Sequence, residues 1–246
     1  MTGIESFSML IKVAVLGIIL ACNKQSPAKA GNINITIAPA SGVIDTGLKH
    51  YLALGDSYTI GESVPLSDRY PVIVTEMLRA MGLSLADPEI IARTGWTAGE
   101  LQSAITATKF AYTYDVVTLL IGVNNQYRGG SLNLYRQEFE QNLKNAIVLA
   151  GGKTNHVVVL SIPDYGTTPF GQRGDPERIA KEIDQYNTVN KEVSEALKVN
   201  YLDITADSKK ALTDASLVAA DSLHFSGRMY RLWAEQLAPM IKSNLD

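Results

Sequence analysis

The sequence predicts an α/β domain built on a parallel sheet of about five strands covered by helices on both faces. Two observations carry this. Short apolar runs recur along the chain: "YLALG" (51–55), "EIIA" (89–92), "DVVTLLIGV" (115–123), "HVVVLSI" (156–162) and "YLDI" (201–204). Runs of that length without alternation are what strands buried on both faces look like. Between them lie stretches with helical periodicity, and parallel neighbours require such crossover helices. With 246 residues, 46% of them hydrophobic, the chain is long enough for one domain with a substantial core.

The helices are read from their stripes and ends. Over 132–150, Tyr135, Phe139, Leu143, Ala146, Ile147 and Ala150 recur at three- and four-residue steps, and Gly151 and Gly152 stop the pattern. A second helix starts at Asp175 as N-cap with Pro176 in its first turn. It carries Ile179, Ile183, Tyr186, Val189, Val193 and Leu197 on one face. Ser226 is the expected N-cap of the last helix. No internal repeat or low-complexity tract competes with this arrangement.

The amino-terminal residues have another character. "VAVLGIILA" (13–21) is an uninterrupted apolar run of nine residues after Lys12, too short for the roughly 20 that span a bilayer but within the roughly 7 to 15 of a secretory leader. It ends at Cys22, the chain's single cysteine, and "ILAC" resembles a bacterial lipobox. Residues 1–22 are therefore expected to be a signal peptide, compact if translation starts at Met9. Cys22 would be the lipidated first residue of an exported protein of the cell envelope. Residues 23–47, rich in Asn, Ser, Pro, Gly and Ala, read as a tether in which "INITIA" can add a short strand, and the domain proper begins at 48.

Several partners are disfavoured. A formal charge of −3 and a pI near 5.7 provide no basic field for a nucleic acid backbone. Three scattered histidines, no HExxH motif and a cysteine assigned to the leader argue against a metal, and no cofactor is expected.

Ligands of such sheets sit outside the carboxyl ends of the strands. Ser57 follows the first strand in "GDSYTIG", Gly95 the second in "ARTGWTAGE" and Asn124 the third in "LIGVNNQY", so all three belong to one rim. A serine hydroxyl is a weak nucleophile until a base takes its proton. His50 and His156 precede strands and lie at the opposite edge. His224, in "AADSLHFSG" after the last strand, has the right topology, and Asp221 three residues earlier is placed to orient its imidazole. Asp164 after the fourth strand is the second candidate for that acid. Taken alone, Ser57 also reads as a helix cap, and Asp56 reads as structural, bonding to the turn.

Together, "GDSYTIG", Gly95, "GVNN" and "DSLH" resemble the four blocks of the SGNH hydrolases, or GDSL esterase/lipase superfamily. The blocks fall in the family's order from residue 55 to 224. The resemblance implies a flavodoxin-like three-layer sandwich, with Ser57 as nucleophile, His224 as base and Asp221 as its orienter. It also implies an oxyanion hole made by the Ser57 and Gly95 N–H groups and the Asn124 amide. Two positions depart from the family pattern: Asn125 stands where an aspartate is usual, and Phe225 follows the histidine where many relatives have proline, which is expected to alter the pocket wall. The GxSxG elbow of α/β-hydrolases is absent.

Trp96, Tyr127, Arg128, Tyr165 and Phe170 surround the rim as candidate substrate contacts, and the long Gly- and Pro-rich stretch 164–176 is expected to lie over the site. The reading is an enzyme cleaving carboxylic esters of small molecules, glycans or lipids through an acyl-serine intermediate. An O-acyltransferase that excludes water could use the same residues. A catalytically silent glycan-binding protein on the same scaffold is the alternative from another class, but a binder has no need of a base behind its serine.

Overall fold

β1 (Tyr51–Gly55) is buried along its whole length because it has a hydrogen-bonded neighbour on each side and helices above and below. The computed structural model describes residues 35, 37 and 47–246. β2 (Glu89–Ala92) pairs with β1 from Leu52↔Glu89 to Gly55↔Ala92, and β3 (Val116–Leu120) pairs with it from Tyr51↔Val116 to Gly55↔Leu120. β4 (Val157–Leu160) and β5 (Asn200–Leu202) complete a parallel sheet of order β2-β1-β3-β4-β5.

The helices follow in chain order: α1 (Ser57–Ile60), α2 (Tyr70–Ala80), α3 (Ala98–Ala107), α4 (Val123–Tyr127), α5 (Leu132–Leu149), α6 (Pro169–Gln172), α7 (Pro176–Ala196), α8 (Thr205–Ser208) and α9 (Gly227–Leu245). α2 packs on α9 to form one layer, while α3 packs on α5 and α5 on α7 to form the other. The three-layer α/β/α sandwich expected from the sequence is therefore the fold.

The stripes do what their spacing predicts. Tyr135, Phe139, Leu143 and Ala146 of α5, and Ile183 of α7, bury completely or nearly so. Asp175 caps α7 by accepting the Arg178 N–H at 3.0 Å, and left-handed Gly151 and Gly152 follow α5. Ser226 stands at the N-cap of α9 but its hydroxyl donates instead to the Ser216 carbonyl at 2.7 Å. The long apolar run 115–123 yields only five strand residues, because the chain turns at Gly122 with φ +130° and enters α4. The 156–162 run is trimmed likewise, since β5 offers its neighbour just three paired residues. Within the expected tether, Ile37 forms a single parallel bridge with Phe110. The leader and Cys22 lie outside the described residues. Among the described residues, no helix is long and apolar enough to cross a membrane.

Gly55 ends β1 at the point where chain and sheet come closest. A Cβ there would overlap both the Thr59 hydroxyl and the Leu120 carbonyl oxygen of the neighbouring strand. Backbone cannot yield as a flexible side chain can, so Gly55→Ala is expected to destabilise the fold by roughly 1–3 kcal/mol. Gly174→Ala, whose new methyl would meet nothing nearer than a carbonyl at 3.5 Å, should stay within about 0.5 kcal/mol of the parent or gain slightly. Denaturant melts of the two variants check this.

Candidate active site

After Gly55 the chain leaves extended geometry at Asp56, whose Oδ1 accepts the Tyr58 N–H at 3.1 Å and caps α1. Ser57 is thus the first helical residue, only 4% exposed. The capping duty that Ser57 could have performed belongs to Asp56, as the structural reading of that aspartate requires. Gly61, left-handed at φ +69°, ends the helix after one turn.

Asp56 is fully buried, and among the described residues its Oδ2 has no partner at ordinary hydrogen-bond distance. Burial raises its pKa from 3.8 to about 7, against the pull of the Tyr58, Asp56 and Gly122 N–H groups. The turn that carries Ser57 therefore rests on a carboxyl that burial pushes toward its neutral form.

His224 and Asp221 meet as the sequence predicts. Asp221 Oδ2 lies 2.6 Å from His224 Nδ1, and Oδ1 accepts the backbone N–H groups of Leu223 and His224, both at 2.9 Å. Ser63 Oγ donates to Oδ2 at 2.7 Å. Burial alone would raise the Asp221 pKa, but the hydrogen bonds from Ser63, the imidazole and the two N–H groups outweigh it and hold the carboxyl far below its usual range. With Nδ1 committed to this carboxylate, Nε2 is the ring nitrogen left for other chemistry. The Tyr58 ring meets the imidazole edge-on at 5.8 Å between centroids, which sets the residue next to Ser57 against His224.

Phe225 is fully buried and packs on Tyr58 and Trp233, each at 5.8 Å between centroids. The pocket-wall role expected of it is not what the structure gives: it is a core residue that anchors the His224 loop against Tyr58 of α1. His50, directly before β1, stacks on Tyr112, and His156 ends the 3₁₀ turn directly before β4, both at the amino edge. The Asp164 carboxylate accepts the Gly166 N–H at 2.8 Å to start a short 3₁₀ turn, so the second candidate acid is a cap.

Gly95 adopts φ +86°, a conformation that suits glycine. Among the described residues, neither the Ser57 nor the Gly95 N–H is donated to another group. Asn124, in α4, donates one amide hydrogen to the Trp96 carbonyl at 2.9 Å, which fixes the amide and leaves the second hydrogen available. Arg128, one turn further on, donates to the Gly95 carbonyl at 2.6 Å and to Glu100 at 3.2 Å. Glu100 in turn closes a capping box with Thr97 at the start of α3. Two side chains from one face of the α4 turn therefore clamp the Gly95–Trp96 segment.

Asn125 explains its own departure from the family. Its Oδ1 accepts the Ala98 N–H at 2.8 Å, which an aspartate could also do, but its Nδ2 donates to Glu138 at 3.2 Å. Burial already raises the Glu138 pKa. An aspartate at 125 would set a second carboxylate against it, so the amide and Glu138 belong together.

A cavity of about 230 Å³ opens beside these groups, lined by Tyr58, Val123, Asn124, Tyr127, Tyr165, Phe170, Leu223 and His224. Three of the five suspected substrate contacts meet here: Tyr127 lies edge-on to Tyr165 at 6.1 Å and tilted over Phe170 at 6.5 Å. Phe170 N–H donates to the Ser222 carbonyl at 2.9 Å, tying the 164–176 stretch to the His224 loop. Trp96 and Arg128 do not line this cavity. Trp96 is partly buried against the core, and Arg128 is occupied by Gly95 and Glu100. Tyr58, Val123 and Leu223 escaped sequence reasoning because each reads as plain core. Ser63 escaped it because its partner is 158 positions away.

A parallel α/β/α sandwich with a buried serine, a carboxylate-bound histidine and undonated N–H groups at its carboxyl edge fits a class, the ester-bond hydrolases of this fold. The particular family follows from the sequence match: residues 53–232 fit the model of the GDSL-like lipase/acylhydrolase family, and the chain belongs to it, an enzyme acting on ester bonds. Solved structures agree on the fold. TesA is 16% identical with a TM-score of 0.63, covering 80% of this chain and 99% of that one. A lipase/acylhydrolase from Enterococcus faecalis is 23% identical with a TM-score of 0.62, covering 81% and 98%. The acetyl xylan esterase AlAXEase is 15% identical with a TM-score of 0.62, covering 78% and 99%. No curated protein sequence matches the chain.

The raised Asp56 pKa has a stability consequence whose sign is fixed. Between 3.8 and about 7 the folded protein holds a proton that the unfolded chain has lost. Stability attached to this group is complete below about pH 4 and is lost as pH rises through 7, by on the order of 4 kcal/mol. Asp56→Asn keeps the cap acceptor and removes the titration. Denaturant unfolding across pH 4.5 to 8 should show a steeper loss for the parent than for the variant, whereas parallel slopes would refute a buried titrating carboxyl.

Proposed function

We propose that the protein is a serine esterase that cleaves carboxylic esters through an acyl-serine intermediate. The single observation that carries this is the 2.6 Å contact of Asp221 with His224 Nδ1, which leaves Nε2 as the ring nitrogen free to act as base. In the first half-reaction Ser57 Oγ bonds to the ester carbonyl carbon and its proton passes to His224 Nε2. The carbonyl oxygen takes the negative charge among the Ser57 N–H, the Gly95 N–H and the free Asn124 amide hydrogen. The C–O bond to the alcohol then breaks and the alcohol leaves with the proton from Nε2. Water repeats the sequence, giving its proton to His224, and the acid departs as Ser57 recovers its hydrogen. The imidazolium formed in each half is stabilised by Asp221, which its four hydrogen bonds keep ionised.

The family, together with the apolar and aromatic lining of the cavity, supports an ester whose acyl or alcohol part has hydrophobic surface. Esters of glycans, lipids and small alcohols all belong to that class. We also propose that the enzyme works in the cell envelope, held through lipidated Cys22. The leader-like run 13–21 and the "ILAC" tetrapeptide support this.

Ser57→Ala and His224→Ala should each abolish turnover of an activated ester, and the double variant should be scarcely worse than either, since the two act as a unit. Asn124→Ala should lower kcat by roughly 10² to 10³ with little change in KM. Steady-state kinetics checks both, and full activity in Ser57→Ala would end the assignment. For location, Cys22→Ser should release the protein from the membrane fraction. Intact mass showing an unmodified Cys22 within a longer chain would exclude the anchor.

A further inference from the structure

Two of the three non-glycine residues with positive φ among the described residues, Ser63 (φ 65°) and Ser222 (φ 67°), flank the Asp221 carboxylate. Such conformations are disfavoured for residues with a Cβ and persist where the surroundings fix them. At Ser63 the result is specific: the hydroxyl points out of the loop after α1 and reaches Asp221 Oδ2 at 2.7 Å, across 158 residues of sequence. The same oxygen takes His224 Nδ1. The preceding residue, Glu62, accepts a hydrogen bond from the Thr94 hydroxyl, one residue before Gly95. Two consecutive side chains therefore join the nucleophile loop to the His224 loop on one side and to the Gly95 loop on the other.

We infer that Ser63 is a positioning residue for the His224–Asp221 pair: its hydroxyl holds the carboxylate in the plane and orientation that aim the imidazole at Ser57. This rests on the reading of His224 as the base. With the Leu223 and His224 N–H groups on Oδ1, the Ser63 hydroxyl is the donor that fixes Oδ2 from outside the Asp221–His224 loop. The hydroxyl also shares Oδ2 with the imidazole, so it draws off part of the charge that would otherwise stabilise imidazolium. The titratable groups around the pair are Tyr58 against the imidazole, Glu62 beside Ser63, and Tyr230 of α9, which faces Asp221, Glu62 and Asp56. Burial holds the phenols of Tyr58 and Tyr230 neutral well above pH 10. Substitution at Ser63 leaves all of these residues in place.

The test compares Ser63→Ala with Ser63→Gly in the otherwise intact protein. Glycine accepts positive φ without strain, so it removes the hydroxyl alone, whereas alanine removes the hydroxyl and keeps the strain. Both should lower kcat about tenfold with KM unchanged, because Ser63 does not line the cavity. Both should also move the acidic limb of the kcat/KM profile upward by about half a pH unit or more, since Asp221 then serves the imidazolium alone. A Ser63→Gly enzyme with parental turnover and an unmoved limb would overturn the inference, as would a loss confined to Ser63→Ala, which would mark a backbone effect. A His224→Ala enzyme with full activity would instead overturn the functional reading on which this depends.

Discussion

Everything at the site depends on the position of β1 between two parallel partners. Because β2 lies on one side of it and β3 on the other, the first crossover runs over one face of the sheet and the second over the opposite face. α2 accordingly belongs to the α9 layer and α3 to the α5 layer. The loops after β1, β2 and β3 therefore separate at the carboxyl edge and leave a crevice between them, the general consequence of such a switch in strand order. Ser57, Gly95 and Asn124 are the residues those three loops carry into it. β1 ends at Gly55, and Ser57, two residues on, opens α1 at the carboxyl edge above a fully buried strand.

Rigidity at the rim comes from many short hydrogen bonds between loops rather than from any large element. α4 has five residues, yet Asn124 holds the Trp96 carbonyl, Asn125 holds the Ala98 N–H and, just past its end, Arg128 holds the Gly95 carbonyl. The segment from Gly95 to Ala98 is thereby held at three points. On the other side, Phe225 inserts into the aromatic cluster with Tyr58 and Trp233, so the His224 loop and the Ser57 turn share one packed support. Among the described residues the Ser57 and Gly95 N–H groups stay undonated, as the proposed oxyanion role requires.

The sheet and its long helices were legible because their signals are periodic and local. The Tyr135–Ala146 stripe, the Asp175-Pro176 start and the apolar runs each encode their element within a few residues. The candidate site was legible for a different reason: Ser57, Gly95, Asn124 and His224 each come after a strand, so strand order places their loops toward the carboxyl edge. What was not legible lies between loops. One-turn helices such as α1 and α4 are too short for a period, and α4 cut short the strand read through residue 123. Arg128 looked like a substrate contact because nothing local reveals that Gly95 and Glu100 occupy it. Phe225 looked like a pocket residue because its place in the core depends on Tyr58 and Trp233, far away in sequence. Ser63 carries no motif at all.

The central claim is that Ser57 is the nucleophile and that His224 with Asp221 activates it. The most direct measurement is covalent capture: treat the protein with an activated alkyl phosphonate ester, digest it and locate the adduct by mass spectrometry. The account predicts a single phosphonate on Ser57, formed rapidly in the parent and far more slowly in His224→Ala. An adduct on another serine, or labelling of Ser57 that is indifferent to His224, would contradict it.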